Sequence, residues 1–198
     1  NERFLWIGTY DGLNRYNSRE IYIYKPDINN QNSLSSNVIR NITETDGTYL
    51  WISTKWGLNK LSKRNNVIEE YYNEFGDNSY MAKDSHDNLY VLTKPGILSL
   101  YSKTRKKFIE LPIHKGIEHD KPSGMLLIID EQDTIWINHQ GILERYTVTN
   151  VESDKPQIKR HSDFKHPHPI KYTFYNNKKI ITVDSEGNLA CITSKGYK

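Results

Sequence analysis

The feature that most restricts what this chain can become is an internal repeat. Five segments align. They are Leu5-Trp6-Ile7-Gly8-Thr9-Tyr10-Asp11-Gly12-Leu13, Leu50-Trp51-Ile52-Ser53-Thr54-Lys55-Trp56-Gly57-Leu58 and Leu89-Tyr90-Val91-Leu92-Thr93-Lys94-Pro95-Gly96-Ile97. The fourth, Ile135-Trp136-Ile137-Asn138-His139-Gln140-Gly141-Ile142, is one residue shorter, and the fifth, Ile181-Thr182-Val183-Asp184-Ser185-Glu186-Gly187-Asn188-Leu189, lacks the aromatic. The aligned glycines at 12, 57, 96, 141 and 187 lie 45, 39, 45 and 46 residues apart. A recurrence of this length marks an array of supersecondary units, each too small to bury its own apolar faces.

Every unit has the same internal order. In the second, Val38 to Ile42 is extended, a polar turn Glu44-Thr45-Asp46-Gly47 follows, and Tyr49 to Thr54 forms the next extended run. Gly57 to Leu61 alternates after a glycine-containing turn, and Val67 to Tyr72 follows the polar stretch Ser62 to Asn66. Four short strands joined by tight turns make an antiparallel meander. No segment carries a helical apolar period of ten or more residues. A period near 45 with four strands per unit suits a propeller blade; a parallel β-helix has shorter coils, and an immunoglobulin-like sandwich does not repeat this way. The expected fold is therefore all-β, a β-propeller, as an incomplete arc of about four to five four-stranded antiparallel blades. Residues 1–198 read as a single propeller fragment: a partial blade at 1–36, blades at 37–78, 79–123 and 124–169, and a partial blade at 170–198.

Two stretches carry a family resemblance: Leu5-Trp6-Ile7-Gly8-Thr9 with Gly12-Leu13-Asn14-Arg15-Tyr16, and Asn32-Ser33-Leu34-Ser35-Ser36-Asn37-Val38-Ile39 followed by Asp46-Gly47-Thr48-Tyr49-Leu50-Trp51-Ile52. They resemble the regulator-type propeller blades in the extracytoplasmic sensor regions of hybrid two-component histidine kinases. The wording is strong through about residue 61 and the spacing extends over almost the whole chain. The resemblance implies a periplasmic input module, often responding to polysaccharide fragments, in a membrane-anchored parent with kinase, receiver and DNA-binding domains. None of those domains is in this sequence, so no catalytic residue carries over. The family generally builds seven-bladed rings, which at this period need about 315 residues. That length leads to the expectation of an incomplete arc whose end faces pair two copies into a homodimer.

Charge and composition narrow the functions. The 27 basic and 24 acidic residues nearly balance, and the densest basic cluster, Lys103 to Lys107, reads as a solvated turn, which argues against nucleic-acid binding. Cys191 is the one cysteine, so no internal disulfide is possible. No apolar run approaches the roughly 20 residues of a membrane span. His166 and His168, near His161, alternate in an extended segment and would point to opposite faces, so no metal is expected there. No cofactor motif occurs, and there is no Gly-x-Ser-x-Gly elbow. Asp46, Asp87, Asp133 and Glu186 recur near the start of the second strand as turn formers whose side chains accept backbone N–H groups.

The repeated aromatics Trp6, Trp51, Tyr90 and Trp136 read as plugs between adjacent blades, because packing recurs in every repeat while a ligand touches a few loops asymmetrically. Gly12, Gly57, Gly96, Gly141 and Gly187 read as turn residues. Four connectors exceed turn length: Asp27 to Asn37, Pro112 to Ser123, Asn150 to Gln157 and Ser162 to Pro169. They join the last strand of one blade to the first of the next, which would gather them on one face where ligands are held. Tyr24, Asn32, His114, His119 and His168 are the candidate ligand residues there. The expected function is ligand sensing or protein association in a two-component sensor, with an oligosaccharide as a possible ligand. The alternatives are a general extracytoplasmic propeller scaffold and, less favoured, a propeller lyase or glycoside hydrolase.

Overall fold

Alternation of apolar and polar residues over runs of four to eight, broken by Asp, Asn and Gly, produces strands throughout. The structure, a computed structural model, describes residues 4–77, 79–93, 96–113, 126–139, 142–161, 170–176, 179–184, 186–187, 189–193 and 196–197. They form nineteen strands and one 3-10 turn at Asn73–Phe75. The first sheet comprises β1 (Leu5–Thr9), β2 (Gly12–Tyr16) and β3 (Ile21–Tyr24). The second comprises β4 (Ile39–Thr45), β5 (Tyr49–Thr54), β6 (Gly57–Ser62) and β7 (Val67–Tyr72). The third holds β8 (Tyr80–Lys83), β9 (Leu89–Leu92), β10 (Leu98–Ser102) and β11 (Lys107–Leu111). The fourth holds β12 (Leu126–Ile129), β13 (Ile135–His139), β14 (Ile142–Thr149) and β15 (Gln157–His161). The fifth holds β16 (Ile170–Asn176), β17 (Lys179–Asp184), β18 (Leu189–Thr193) and β19 (Gly196–Tyr197).

In each sheet the strands neighbour one another in chain order, the up-and-down meander of a propeller blade. The second sheet shows how the sequence sets this. Its first three strands end at Thr45, Thr54 and Ser62, where the turn residues begin. Asp46 and Asn66 take positive φ in those turns, a conformation that Asp and Asn tolerate better than most residues. The fifth sheet, which the sequence indicated as a partial blade, has four strands, the last of them, β19, only two residues long.

The described residues form two compact units, 1–81 and 82–198. In the first unit the core lies between the first and second sheets. Leu13 and Leu34 are buried with Leu50, Ile52, Leu61 and Ile68, and Trp6, Tyr24, Ile39 and Ile42 pack against them. Period-two geometry explains the membership: Leu50 and Ile52 point to one face of β5 while Trp51 and Ser53 point to the other. Ser53 bonds forward, its hydroxyl 2.7 Å from that of Ser79 just before β8.

In the second unit Ile128, Trp136, Leu143 and Ile180 form the core between the fourth and fifth sheets. Asn138, two residues beyond Trp136, donates its amide to the Thr173 hydroxyl at 2.8 Å. These contacts correct the alignment of the fifth repeat. Ile180 and Thr182 are the residues buried toward the preceding sheet, so they occupy the positions of Leu50 and Ile52. Ile181, not Thr182, then stands where Trp51 stands, six residues before the repeat glycine. A one-residue slip in a strand exchanges its two faces, so the shift matters for every side chain of β17.

Candidate functional site

In the first unit, the turns that join β1 to β2 and β5 to β6 meet the incoming connector. Thr9 and Thr54 build the two turns identically. Each hydroxyl donates to the carbonyl of the glycine that follows, Gly12 at 2.9 Å and Gly57 at 3.0 Å. Each also accepts a backbone N–H, from Asp11 at 3.0 Å and Trp56 at 3.2 Å. The connector is tied to both: the Gly12 N–H donates to the Asn37 carbonyl at 2.7 Å, and the Lys55 N–H to that of Val38 at 3.1 Å.

This arrangement leaves two aromatic rings in water. Tyr10 is 76% exposed and Trp56 59% exposed, in equivalent turns of consecutive sheets. The Lys55 ammonium lies 5.0 Å from the Trp56 ring centroid, and the Tyr71 hydroxyl donates to the Trp56 carbonyl at 2.6 Å. Arg40, at the start of β4, grips Asp77 with Nε and Nη2 at 2.9 and 3.3 Å. The hydrogen bonds it donates to Asp77 hold the guanidinium above its ordinary pKa, and Tyr10 adds to the effect. Burial, then the Glu74 carboxylate, raises the Tyr71 phenol. Exposed aromatic faces beside fixed donors and an acceptor suit stacking on a ring with hydroxyl groups at its rim.

The sequence candidates fall in different settings. Tyr24 packs at the core, its ring centroid 5.7 Å from that of Trp6, and burial raises its phenol against an opposing pull from Arg15. Asn32 is exposed; its N–H donates to Asn30 Oδ1 at 3.0 Å and its carbonyl accepts from the Ile68 N–H. His114, His119 and His168 lie outside the described residues, as does Gly141. Gly12, Gly57, Gly96 and Gly187 all have positive φ. The Asp27–Asn37 connector is anchored through Leu34 and Ser36, both buried, and through the Ser35 N–H, which donates to Asn59 Oδ1 at 3.0 Å.

Trp51, Tyr90 and Trp136 are 1%, 2% and 5% exposed, and Trp6 is half-buried. The three buried aromatics share a feature the sequence reading missed. Each donates from its polar tip to the residue six positions earlier: Trp51 to Thr45 at 3.1 Å, Tyr90 to Asp84 at 3.4 Å and Trp136 to Asp130 at 2.8 Å. Asp84 also accepts the N–H groups of His86 and Asn88, and Asp130 those of Gln132 and Thr134. The acids that close these two turns are therefore Asp84 and Asp130. Asp87 and Asp133 supply the positive φ instead. Asp133 reaches another sheet's turn, accepting from the Ser85 N–H and hydroxyl at 2.7 Å each. The spacing Asp-x-x-Asp-[Asn/Thr], seen at 84–88 and 130–134, was the available signal. Tyr10 and Trp56 were missed as well; their signal is a large aromatic in an otherwise polar two-residue turn, where no strand buries it.

No protein-family model matches the chain, and no curated protein matches its sequence. Solved structures do. The extracellular domain of a hybrid two-component system from B. thetaiotaomicron superposes with a TM-score of 0.68 at 19% identity, over 98% of this chain and 26% of that one. A second such domain from the same organism gives 0.66 at 20%, over 98% and 27%. Virginiamycin B lyase from Staphylococcus aureus gives 0.63 at 16%, over 99% and 65%. These likenesses establish the fold, a β-propeller's. The chain spans about a quarter of the length of the two sensor domains. Among the described residues no helix is long and apolar enough to cross a membrane.

Proposed function

We propose that this chain is a ligand-sensing segment of the extracytoplasmic region of a bacterial two-component sensor, periplasmic and membrane-anchored through other parts of its parent. The observation that carries the reading is the likeness, along 98% of the chain, to extracellular domains of such systems. The blade wording at residues 5–16 and 32–52 supports it independently. The ligand class we favour is an oligosaccharide, held at the turn end where Tyr10 exposes its ring near Arg40 and Trp56 exposes its ring beside Lys55. The coding sequence around this segment tests the first part: a membrane-spanning helix and a kinase domain are expected, and their absence overturns the sensor reading. Calorimetric titration with a panel of plant and host oligosaccharides tests the second. Binding that Trp56→Ala or Tyr10→Ala weakens at least tenfold supports the site, and binding indifferent to both variants sinks it. The likeness to a lyase favours a second reading, a catalytic propeller, which turnover of a panel member would support.

A further inference from the structure

The turn that joins β5 to β6 is held from both sides, and its aromatic ring still stands in water. Before it, the Lys55 N–H donates to the Val38 carbonyl at 3.1 Å. Within it, the Trp56 N–H donates to the Thr54 hydroxyl at 3.2 Å. After it, the Tyr71 hydroxyl donates to the Trp56 carbonyl at 2.6 Å. Gly57 lies so close to the end of β7 that a Cβ there would be 2.9 Å from Tyr71 Cε2 and 3.1 Å from Asn73 Cα. The flanking chain is thus in place on each side, yet Trp56 is 59% and Tyr71 47% exposed. With the backbone under the indole fixed, a ligand meets a platform that needs no ordering. Charge separates this turn from its counterpart in the first sheet, where the register sets Tyr10 and Asp11 in the places of Lys55 and Trp56. There the Asp11 carboxylate is neutralised by Lys25 at 2.7 Å, as Arg40 is by Asp77. Lys55 is exposed, and no carboxylate among the described residues pairs with it. Its ammonium lies 5.0 Å from the Trp56 ring centroid.

We propose that the Trp56 turn selects sugars that carry a negative charge, the sugar ring lying on the indole and its carboxylate or sulfate at the Lys55 ammonium. The inference rests on the oligosaccharide reading above and adds to it the sign of the ligand's charge. The C–H face of a sugar ring is apolar and suits an exposed indole, whose large flat surface is its main asset. Sugar hydroxyls give an ammonium no advantage over any neutral donor. An anionic group on the same ring does, because a charge-assisted hydrogen bond is roughly twice as strong as a neutral one. A cation already neutralised by a carboxylate offers the ligand no such gain. Lys55, rather than Lys25 or Arg40, is therefore the selecting group.

Calorimetric titration of the full chain with a galacturonate tetramer, its methyl ester and a sulfated galactose tetramer reads the outcome. The ester keeps the rings and linkages of the acid and removes only the charge. The acid is expected to bind at least ~5-fold more tightly than the ester, and most of that margin is expected to vanish at about 0.5 M salt. Lys55→Gln should bring acid and ester to within about twofold of each other, whereas Trp56→Ala should weaken both. Arg64→Gln, in the exposed turn at the other end of the same sheet, is the control and leaves the margin intact. Unchanged urea midpoints show that each variant is folded. A sulfated tetramer that matches the acid assigns the preference to charge in general, and one that matches the ester assigns it to the carboxylate. An ester that binds as tightly as the acid, with both weakened by Trp56→Ala, overturns the proposal and leaves the oligosaccharide reading standing. A margin that survives Lys55→Gln overturns it as well. So does the failure of both anionic tetramers to bind, in which case the wider panel of oligosaccharides decides the broader reading by itself.

Discussion

Trp51→Ala is expected to cost about 4 to 5 kcal/mol of stability. The Trp51 ring is 1% exposed, and its Nε1–H bonds the Thr45 hydroxyl, itself 3% exposed. Tyr72 packs at 6.0 Å between ring centroids, and the Lys60 ammonium lies 5.5 Å from the indole centroid. Truncation removes a fully buried indole from a site lined by Tyr72, Lys60 and the buried Thr45, so little collapse can fill the void. Such deletions cost about 3 to 5 kcal/mol. Leaving the buried Thr45 hydroxyl without this donor adds about 1 kcal/mol. Against a typical total of roughly 5 to 15 kcal/mol, that loss brings the fold near its limit. Urea unfolding followed by circular dichroism measures it as a drop in midpoint at constant slope. The comparison is Trp56→Ala, where the ring is in water and the loss is expected within about 0.5 kcal/mol. A Trp51→Ala cost below about 1 kcal/mol, or equal costs for the two variants, refutes the assignment of Trp51 to packing.

Two further outcomes follow from backbone and electrostatics. Gly57 has φ +146°, and a Cβ there would collide with the Tyr72 carbonyl oxygen, whereas a Cβ at Gly47, with φ +65°, meets nothing within 4 Å. Gly57→Ala should therefore cost at least about 2 kcal/mol and Gly47→Ala about 1 kcal/mol, in the same unfolding assay; the reverse order would contradict the geometry. Burial alone would raise Asp133, but the hydrogen bonds from Ser85 and the nearby His86 outweigh it and lower the carboxyl below its ordinary 3.8. A depressed carboxylate stabilises the fold above its unfolded pKa and loses that contribution as pH falls through the folded value. The stability gap between wild type and Asp133→Asn should thus be full at neutral pH and shrink below about pH 4; a gap constant down to pH 2.5 would show that Asp133 is not the titrating group.

The sequence by itself determined the strands and their order. Asp46, Gly47 and Asn66 stop strands because their backbones accept conformations that Ile, Val and Trp resist, and that information is local. The 45-residue spacing likewise made each unit a meander before any contact was known. Local pattern stopped short where a choice depends on a neighbouring sheet. The fifth repeat illustrates it: Ile180, Ile181 and Thr182 are all strand formers, so period two admits either phase, and the contact of Ile180 with Trp136 selects one. Tyr24 looked like a loop-end ligand residue, but Trp6 and the core of the first unit take up its ring. Asp87 and Asp133 read as the turn acids, whereas Asp84 and Asp130 accept from the tips of Tyr90 and Trp136, six residues later. Leu5 and Leu50 carry the same residue in the same repeat position, yet one is 57% exposed and the other 1%. Burial belongs to the packing of one sheet on another, a property that no single repeat contains.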